Sequence, residues 1–552
     1  MVVSNLPVLG HGRAHLAMAA AMLFVSPAAF AQRGVQINTD NQGRDIVGDA
    51  ANEPTFAVSP VDPNRIVVGW RQFPTINSDS RYAGFAWSDD GGLTFTNGGI
   101  LASPPGYNNA EQTDPVVKVN AQGDFYYWSE VFRPNYAQFM YRSIDGGQTW
   151  QTPSAIEDPA NGDKPWLAID NTGTMGDGHL YGGWNNFNLG GYCYVESTDG
   201  GATWTPSKRI ADAGGTQWMM HMVVGPQGEV YAAWKNYAET AIFITKSINA
   251  RDPNTPTTFN AFGNGGRDGI DLRIDAANDP GFLNINPTGF HQMFLGVDSS
   301  GGPRHGWLYA LWPDDRRDTA DLIFARSADG GLSWETGIRV NDDGPGAIQW
   351  MPTMSVAPNG RIDVFWFDTR NDSGHQVPWS ELFYSFSTDG GTTWATSRRI
   401  SEAFNTTIGW PVQQKIGDYM ESVSEDAGAS VVYPATFNGG QDLWFMRITP
   451  FQLHAGALRG GEMGQIEVAG ARPNQPTWLA ASVYGLGSTY IPALNVTLNL
   501  DRPMQAGTMM RTDAQGNAVW VLPVPRQASG RTIWLQSVQR ENASNVVEVV
   551  VE

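Results

Sequence analysis

The chain of 552 residues has a single cysteine, Cys193. No internal disulfide can form, even in an oxidising compartment. Between Tyr192 and Tyr194 it reads as a buried, inert thiol in a strand rather than as a nucleophile. Positive charge is also scarce: 35 lysines and arginines stand against 55 aspartates and glutamates, a formal charge of −20. Nucleic acid and anionic membranes need basic surface, so neither is an expected partner. The apolar run Leu16 to Val25 is too short to span a bilayer, and no later run approaches that length. Arg13 and His15 precede this run, and Ala29-Phe30-Ala31 follows with small residues at both cleavage positions. Residues 1-31 therefore read as a signal peptide with Gln32 as the mature start, and the protein is expected to be secreted or periplasmic. Helix-period apolar patterns are rare as well. Glycine (63) and tryptophan (21) are abundant instead, which points to an all-β, turn-rich fold wedged by large aromatics.

Five segments repeat one pattern, S-x-D-G-G-x-[T/S]-[W/F]: Ser88 to Phe95, Ser143 to Trp150, Ser197 to Trp204, Ser327 to Trp334 and Ser387 to Trp394. The pattern is turn chemistry, because glycine enters positive φ freely while Asp and Ser or Thr side chains bond turn amides. Its aspartates, Asp90, Asp145, Asp199, Asp329 and Asp389, are spaced by 55, 54, 130 and 60 residues. The long interval holds a decayed copy at Lys246-Ser247-Ile248-Asn249, giving six units. Extended runs ending in Trp70, Trp128, Trp184, Trp234, Trp312 and Trp366 repeat in step, and Ala429 to Tyr433 fits the same frame. The count gives seven four-stranded units, with six as the alternative. Gly34 to Thr39 is expected to supply the fourth strand of the last one. Radial repetition of such sheets makes a β-propeller over residues 32-450. Residues 455-552 carry no repeat, and their alternating runs between Gly/Asn/Asp turns read as a small C-terminal β-sandwich.

The repeated turns join third to fourth strands, which puts their aspartates in structural roles on the face away from the ring mouth. The mouth is expected to be lined by the residues two places beyond each tryptophan: Gln72, Glu130, Asn186, Asn236, Asp314 and Asp368. First-strand starts add Glu53, Asp114, Asp163, Lys164, Gln217, Gln349 and Asp418. Arg71, Arg133, Arg316, Arg317 and Arg370 interleave with these acids. The bland reading is that such groups cap strands and pair between sheets. Trp218, Trp350, Trp379 and Trp410 are the candidates for stacking on a ligand, whereas the repeated tryptophans are packing wedges. The inserts 263-289 and Asn371 to Glu381 are long enough to be lids, and the first holds aspartates that could bind calcium, although no EF-hand order is present. No other cofactor is implied, and no pattern sets an oligomeric state.

The repeated turns resemble the Asp-box, or bacterial neuraminidase repeat, of sialidase-like propellers. Asp163-Lys164-Pro165-Trp166, Asp368-Thr369-Arg370-Asn371-Asp372 and Gly417-Asp418-Tyr419-Met420 are similar to stretches of secreted bacterial proteins of that kind. The resemblance implies a glycoside hydrolase acting on an extracellular glycan or glycoconjugate. It casts Tyr419 as nucleophile, Glu130 as its assisting carboxylate and Asp368 as acid/base, with Asp314 and Asp418 as further acids. Arg71, Arg316 and Arg370 become the clamp on a substrate carboxylate, and Trp218 and Trp350 its stacking partners. The Arg-Ile-Pro of sialidases has no counterpart near the first unit, where Asn52-Glu53-Pro54-Thr55-Phe56 stands, and this argues against release of sialic acid. A noncatalytic glycan- or protein-binding propeller is the alternative. A polysaccharide lyase using Tyr419, His221 or His375 as base is a third reading.

Overall fold

The computed structural model describes residues 34–210, 217–236, 241–259, 272–275, 293–315, 317, 319–372, 374, 379–514, 516–540 and 542–552, with strand backbone alone at 217–219, 236 and 272–275. The expected signal peptide, Arg316, His375 and most of the insert 263–289 lie outside the described residues. The chain is all-β and divides into two compact units, one spanning Arg33–Thr449 and the other holding Pro450–Glu552. No helix among the described residues is long and apolar enough to cross a membrane.

Among the described residues the first unit contains seven antiparallel sheets, each built on a path of four strands. Their first strands are Ala50–Val58, Glu111–Val119, Gly162–Ile169, Gln217–Val224, Phe294–Val297, Gln349–Val356 and Glu421–Glu425, and the sheets are numbered one to seven in that order. Each first strand packs against the first strand of the next sheet, and that of sheet seven packs against that of sheet one. The seven sheets therefore form a closed ring. Val35–Gln36 pairs with Asp442–Ile448 in sheet seven, Val35 opposite Phe445, so the N-terminal segment supplies the last sheet's fourth strand.

The second strands explain why these sequences fold this way. Ile66–Phe73, Phe125–Arg133, Leu180–Asn186, Leu308–Asp314 and Ile362–Asp368 are buried along most of their length on both faces, so they read as near-continuous apolar runs. Trp70, Trp128, Trp184, Trp312 and Trp366 are almost completely buried within these strands, as is Trp234 in Val230–Asn236, the second strand of sheet four. Glycine makes room for them: Gly84 faces Trp70, and a Cβ there would stand 2.4 Å from the indole. Each such ring removes on the order of 150–250 Å² from water, which dominates the packing energy of the unit.

Every repeated turn begins on the last residue of a third strand, as at Ser88, Ser143, Ser197, Ser327 and Ser387. In the second of them Ser143 Oγ donates to Asp145 Oδ1 at 2.7 Å, and Asp145 accepts the Thr149 amide at 3.0 Å and the Thr149 hydroxyl at 2.5 Å. Gly146 and Gly147 take φ of 82° and 85°, the left-handed region that a Cβ would strain. Burial works to raise the pKa of Asp90, Asp145, Asp199 and Asp329, and these threonine or serine bonds outweigh it, holding the carboxyls below their ordinary value. The decayed copy keeps part of the design, since Ser247 Oγ donates to Asn249 Oδ1 at 3.0 Å and Asn249 Oδ1 accepts the Thr258 amide at 2.9 Å.

The unit holding Pro450–Glu552 has a three-stranded sheet, a five-stranded sheet and the hairpin Leu486–Ile491/Val496–Leu500. Leu453, Ile466, Val468, Leu479, Trp520 and Leu535 form its apolar core.

Candidate functional site

The site is built on a distortion that recurs in the first strands. In sheets one, two, three and six the ladder to the second strand slips by a bulge, and the bulged residue precedes a proline: Glu53-Pro54, Asp114-Pro115, Lys164-Pro165 and Met351-Pro352. These four residues take φ of 53°, 47°, 61° and 47°, a conformation costly for any residue with a Cβ. Proline disfavours the right-handed helical region for its predecessor, and the bulge re-aims the side chain. Three of the four chains so placed are charged.

They meet at the centre of the ring. Glu53 of sheet one pairs with Arg71 at 2.8 Å and with Lys415 at 3.0 Å, and it accepts the Asp418 amide at 3.1 Å. Arg71 Nε also donates to Asn52 Oδ1 at 2.8 Å. Lys164 of sheet three reaches Asp418, beside sheet seven, and stands 3.6 Å from Asp114 of sheet two. Sheets three and seven are not neighbours in the ring, so this ion pair crosses its centre. Lys415 donates to Asp418 Oδ1 at 2.8 Å. Tyr419 donates its hydroxyl to the Pro115 carbonyl at 3.2 Å, another contact across the ring.

Asp114, Glu130 and Asp163 form the acidic side of this cluster, with carboxylate oxygens within 4.8 Å of one another. Such a triad has the donor set for a hard cation, and the Lys164 ammonium lies at its edge. Gln138 donates to Glu130 at 3.1 Å while its carbonyl takes the Trp128 indole N–H at 2.7 Å. Burial, then the charges of Asp163 and Asp114, push the Glu130 carboxyl well above the usual range. Burial also raises Glu53 and Asp114 against the pull of Arg71 and Lys164 respectively. Asp418 goes the other way: burial works to raise it, but Lys164 and Lys415 hold it well below its ordinary value. Carboxyls forced apart in acidity within one cluster are the raw material of acid/base chemistry.

The cluster is almost sealed, and Asp163 is its half-buried opening. Beside it lies a group of aromatics that sequence reasoning missed. Phe132 and Tyr136 meet edge to face at 5.5 Å, and Tyr136 meets Phe187 at 6.2 Å, with Phe187 47% exposed. Burial raises the Tyr136 phenol, and the charges of Glu130 and Asp163 add to the effect. Lys415 was also missed; its only signal was proximity to Gly417-Asp418-Tyr419.

The other expected residues are distributed differently. Asp314 accepts the Trp312 indole at 2.9 Å, and Asp368 accepts the Trp366 indole at 2.8 Å. Residues two apart on a strand share a face, which lets these two acids take the indole N–H, whereas Gln138 takes that of Trp128 and leaves Glu130 to the cluster. The expectation that these acids line the mouth as available groups is corrected on that ground. Arg370 is held by Asp368 at 2.8 Å, Asp342 at 2.7 Å and Asp343 at 3.3 Å, so it forms no clamp with Arg71, which is itself engaged by Glu53. Trp350 is fully buried, with its indole on Ser380 and its ring 5.0 Å from Phe367, and offers no face to a ligand. Trp218 lies in the first strand of sheet four, with its side chain outside the described residues. Trp379 is 47% exposed at the start of a third strand. Tyr419 is buried and its phenol pushed well up by burial and then Asp114 and Glu53, which keeps it protonated rather than nucleophilic. His221 is half-buried between Trp166 and Phe294, at 4.4 and 5.1 Å, and burial drives it far below the usual imidazole range.

No protein-family profile and no curated protein matches the chain. Among solved structures it is similar to a protein of unknown function from Dyadobacter fermentans, at 15% identity and TM-score 0.38, covering 73% of this chain and 98% of that one. It is also similar to an α-L-arabinofuranosidase from Fusarium graminearum, at 12% identity and TM-score 0.39, covering 75% and 97%. A Hadza microbial sialidase matches at 12% identity and TM-score 0.38, covering 70% and 76%.

Proposed function

We propose that this is a secreted, carbohydrate-active β-propeller of seven blades with a C-terminal β-sandwich, and that it hydrolyses a glycosidic bond of an extracellular glycan. The observation that carries the reading is the meeting of Glu130, its proton held by burial and by two neighbouring carboxylates, with Asp163 at the one half-buried edge of the cluster.

Glycoside cleavage needs a proton donor and a nucleophile or base flanking one bond. Glu130 donates its proton to the leaving-group oxygen as Asp163 attacks the anomeric carbon and the glycosidic bond breaks. The Glu130 carboxylate then takes a proton from water, whose oxygen displaces Asp163 and releases the sugar. Oxygens within 4.8 Å match the close carboxyl spacing of retaining enzymes, about 5–5.5 Å, rather than the roughly 6.5–9.5 Å of inverting ones. Tyr136 and Phe187 present ring faces and edges on which a sugar can stack, backed by Phe132, whose own ring carries Arg81 at 4.3 Å and Arg133 at 4.9 Å. Lys164 and Lys415 keep Asp418 ionised and fix the geometry beneath.

A second reading, a noncatalytic glycan-binding propeller, is favoured by one feature: Glu130 is only 1% exposed, and its neighbours are matched by lysines as in a structural ion network. A screen of the purified protein against sialosides, neutral glycosides and uronate polysaccharides separates the two. Turnover of one class with retention of configuration, lost in Glu130→Gln, supports the hydrolase. Glycan binding that survives this change, with no turnover of any class, supports the binder.

A further inference from the structure

A second buried acidic group involves none of the residues assigned to the reaction. It sits where the N-terminal segment closes the ring. Asn38 Nδ2 donates to Asp442 Oδ1 at 2.6 Å, while Asn38 Oδ1 accepts the Leu443 amide at 2.9 Å and the Ile37 amide bonds the Leu443 carbonyl at 2.9 Å. Gln72 donates to Asp49 at 2.9 Å. Gln36 and Asn438 both donate to Asp45 at 2.8 Å. Asp49 and Asp442 are 4% and 1% exposed, and Asp442 Oδ2 is buried with no hydrogen-bond partner.

Every side-chain donor to these carboxylates among the described residues is a neutral amide. Asp49 and Asp442 adjoin the bridge between Ala50 and Gln441, and the charges that raise them are that of Asp442 on Asp49 and that of Asp45 on both. The nearest cation in sequence, Arg44, is exposed and bound to Asp40 at 2.8 Å. A carboxylate pair with no cation between its members is stable only while it holds a proton.

We propose that this closure is a proton-operated latch: ionisation of Asp49 and Asp442 drives them apart and releases the N-terminal strand from sheet seven, and protonation locks it. The acidities agree with the geometry. Burial, helped by Asp442, pushes Asp49 up to about 7, and burial, helped by Asp45, pushes Asp442 up to about 6. Both lie above the unfolded value of about 3.9, so the folded seam binds more protons than the unfolded chain as pH rises above about 4. Stability at the seam is therefore full below that value and is lost as pH climbs through 6 and 7.

Hydrogen exchange on the full chain tests this, reading the Ile37 and Leu443 amides at about pH 5 and about pH 8 after correction for intrinsic exchange. Val364, in a second strand, serves as the reference. The latch predicts that protection at Ile37 and Leu443 falls by about tenfold or more relative to Val364 as pH rises, and that Asp442→Asn or Asp49→Asn abolishes most of the fall. An equal fall at all three amides, or a seam-specific fall that persists in both variants, overturns it. The two substitutions are tested separately so that a misfolded variant leaves the other to decide.

Discussion

Lys164 joins Asp418 to Asp114 across the ring, its ammonium 3.6 Å from Asp114 and hydrogen-bonded to Asp418, a residue 254 positions away in sequence. Contacts of this kind tie sheets that share no strand edge. Replacing Lys164 by Met takes the nearest ammonium from Asp114 and Asp418, leaving Lys415 bound to Asp418 and the Arg71 charge acting on both. Breaking one side of a buried pair costs about 3–5 kcal/mol, and the surviving Lys415 puts the expected loss at the lower end, about 3 kcal/mol. Asp418 is depressed in the folded state, so its contribution is present above the unfolded value of about 4 and is lost as pH falls through the folded one. Urea unfolding at neutral pH is expected to separate wild type from Lys164→Met, and the gap narrows in acid.

The carboxylates of the repeated turns act at the other end of the sheets. In sheet two Glu130 pairs with Gln138 at the start of the third strand, whereas Phe125 pairs with Ser143 at its end, where the turn begins. Asp145→Ala removes the bonds to Ser143 and Thr149, a loss of about 1–2 kcal/mol. Thermal unfolding is expected to register it, while kcat stays unchanged. A drop in kcat in a still-folded variant counts against the assignment of the boxes to structure.

Phe187 is placed to stack on substrate while touching none of the reacting atoms. Phe187→Ala is expected to raise KM by about tenfold, roughly 1.4 kcal/mol, with little change in kcat, the pattern of binding shared by ground and transition states. Steady-state kinetics on the substrate found in the screen checks it.

The two compact units are proposed to fold independently, the propeller closing on itself through Val35–Gln36. A chain lacking residues 455–552 is expected to remain soluble and to keep wild-type kcat/KM. Aggregation of that chain contradicts the boundary.

The ring was legible in the sequence because its signals are local. Asp-Gly-Gly turns and apolar runs ending in tryptophan each state their geometry within about eight residues. The site was only half legible. Glu130, Asp418 and Arg71 were marked by register, and the structure brings them to one cluster or its edge. Asp368 and Asp314 share that register, yet their tryptophans claim them, whereas Gln138 takes the Trp128 indole and so frees Glu130, a difference that register alone does not show. Glu53, Asp114 and Lys164 were marked as first-strand starts, but the bulge that aims them was not: with Met351 they all precede proline, and their left-handed φ runs against local preference and is imposed by the ring. Phe132, Tyr136 and Phe187 come together only when two neighbouring sheets are placed side by side.

The most direct measurement is the pH dependence of turnover in wild type, Glu130→Gln, Asp163→Asn and Asp368→Asn on the best substrate of the three glycan classes. Glu130, raised in the folded protein, is the acid; turnover is expected to persist at neutral pH and to fall as pH climbs through its titration. Glu130→Gln is expected to lose about 10²–10⁴ of kcat and the alkaline limb with it, Asp163→Asn a comparable factor, and Asp368→Asn to keep the wild-type profile. No turnover of any class, or a Glu130→Gln enzyme with wild-type kcat, contradicts the account.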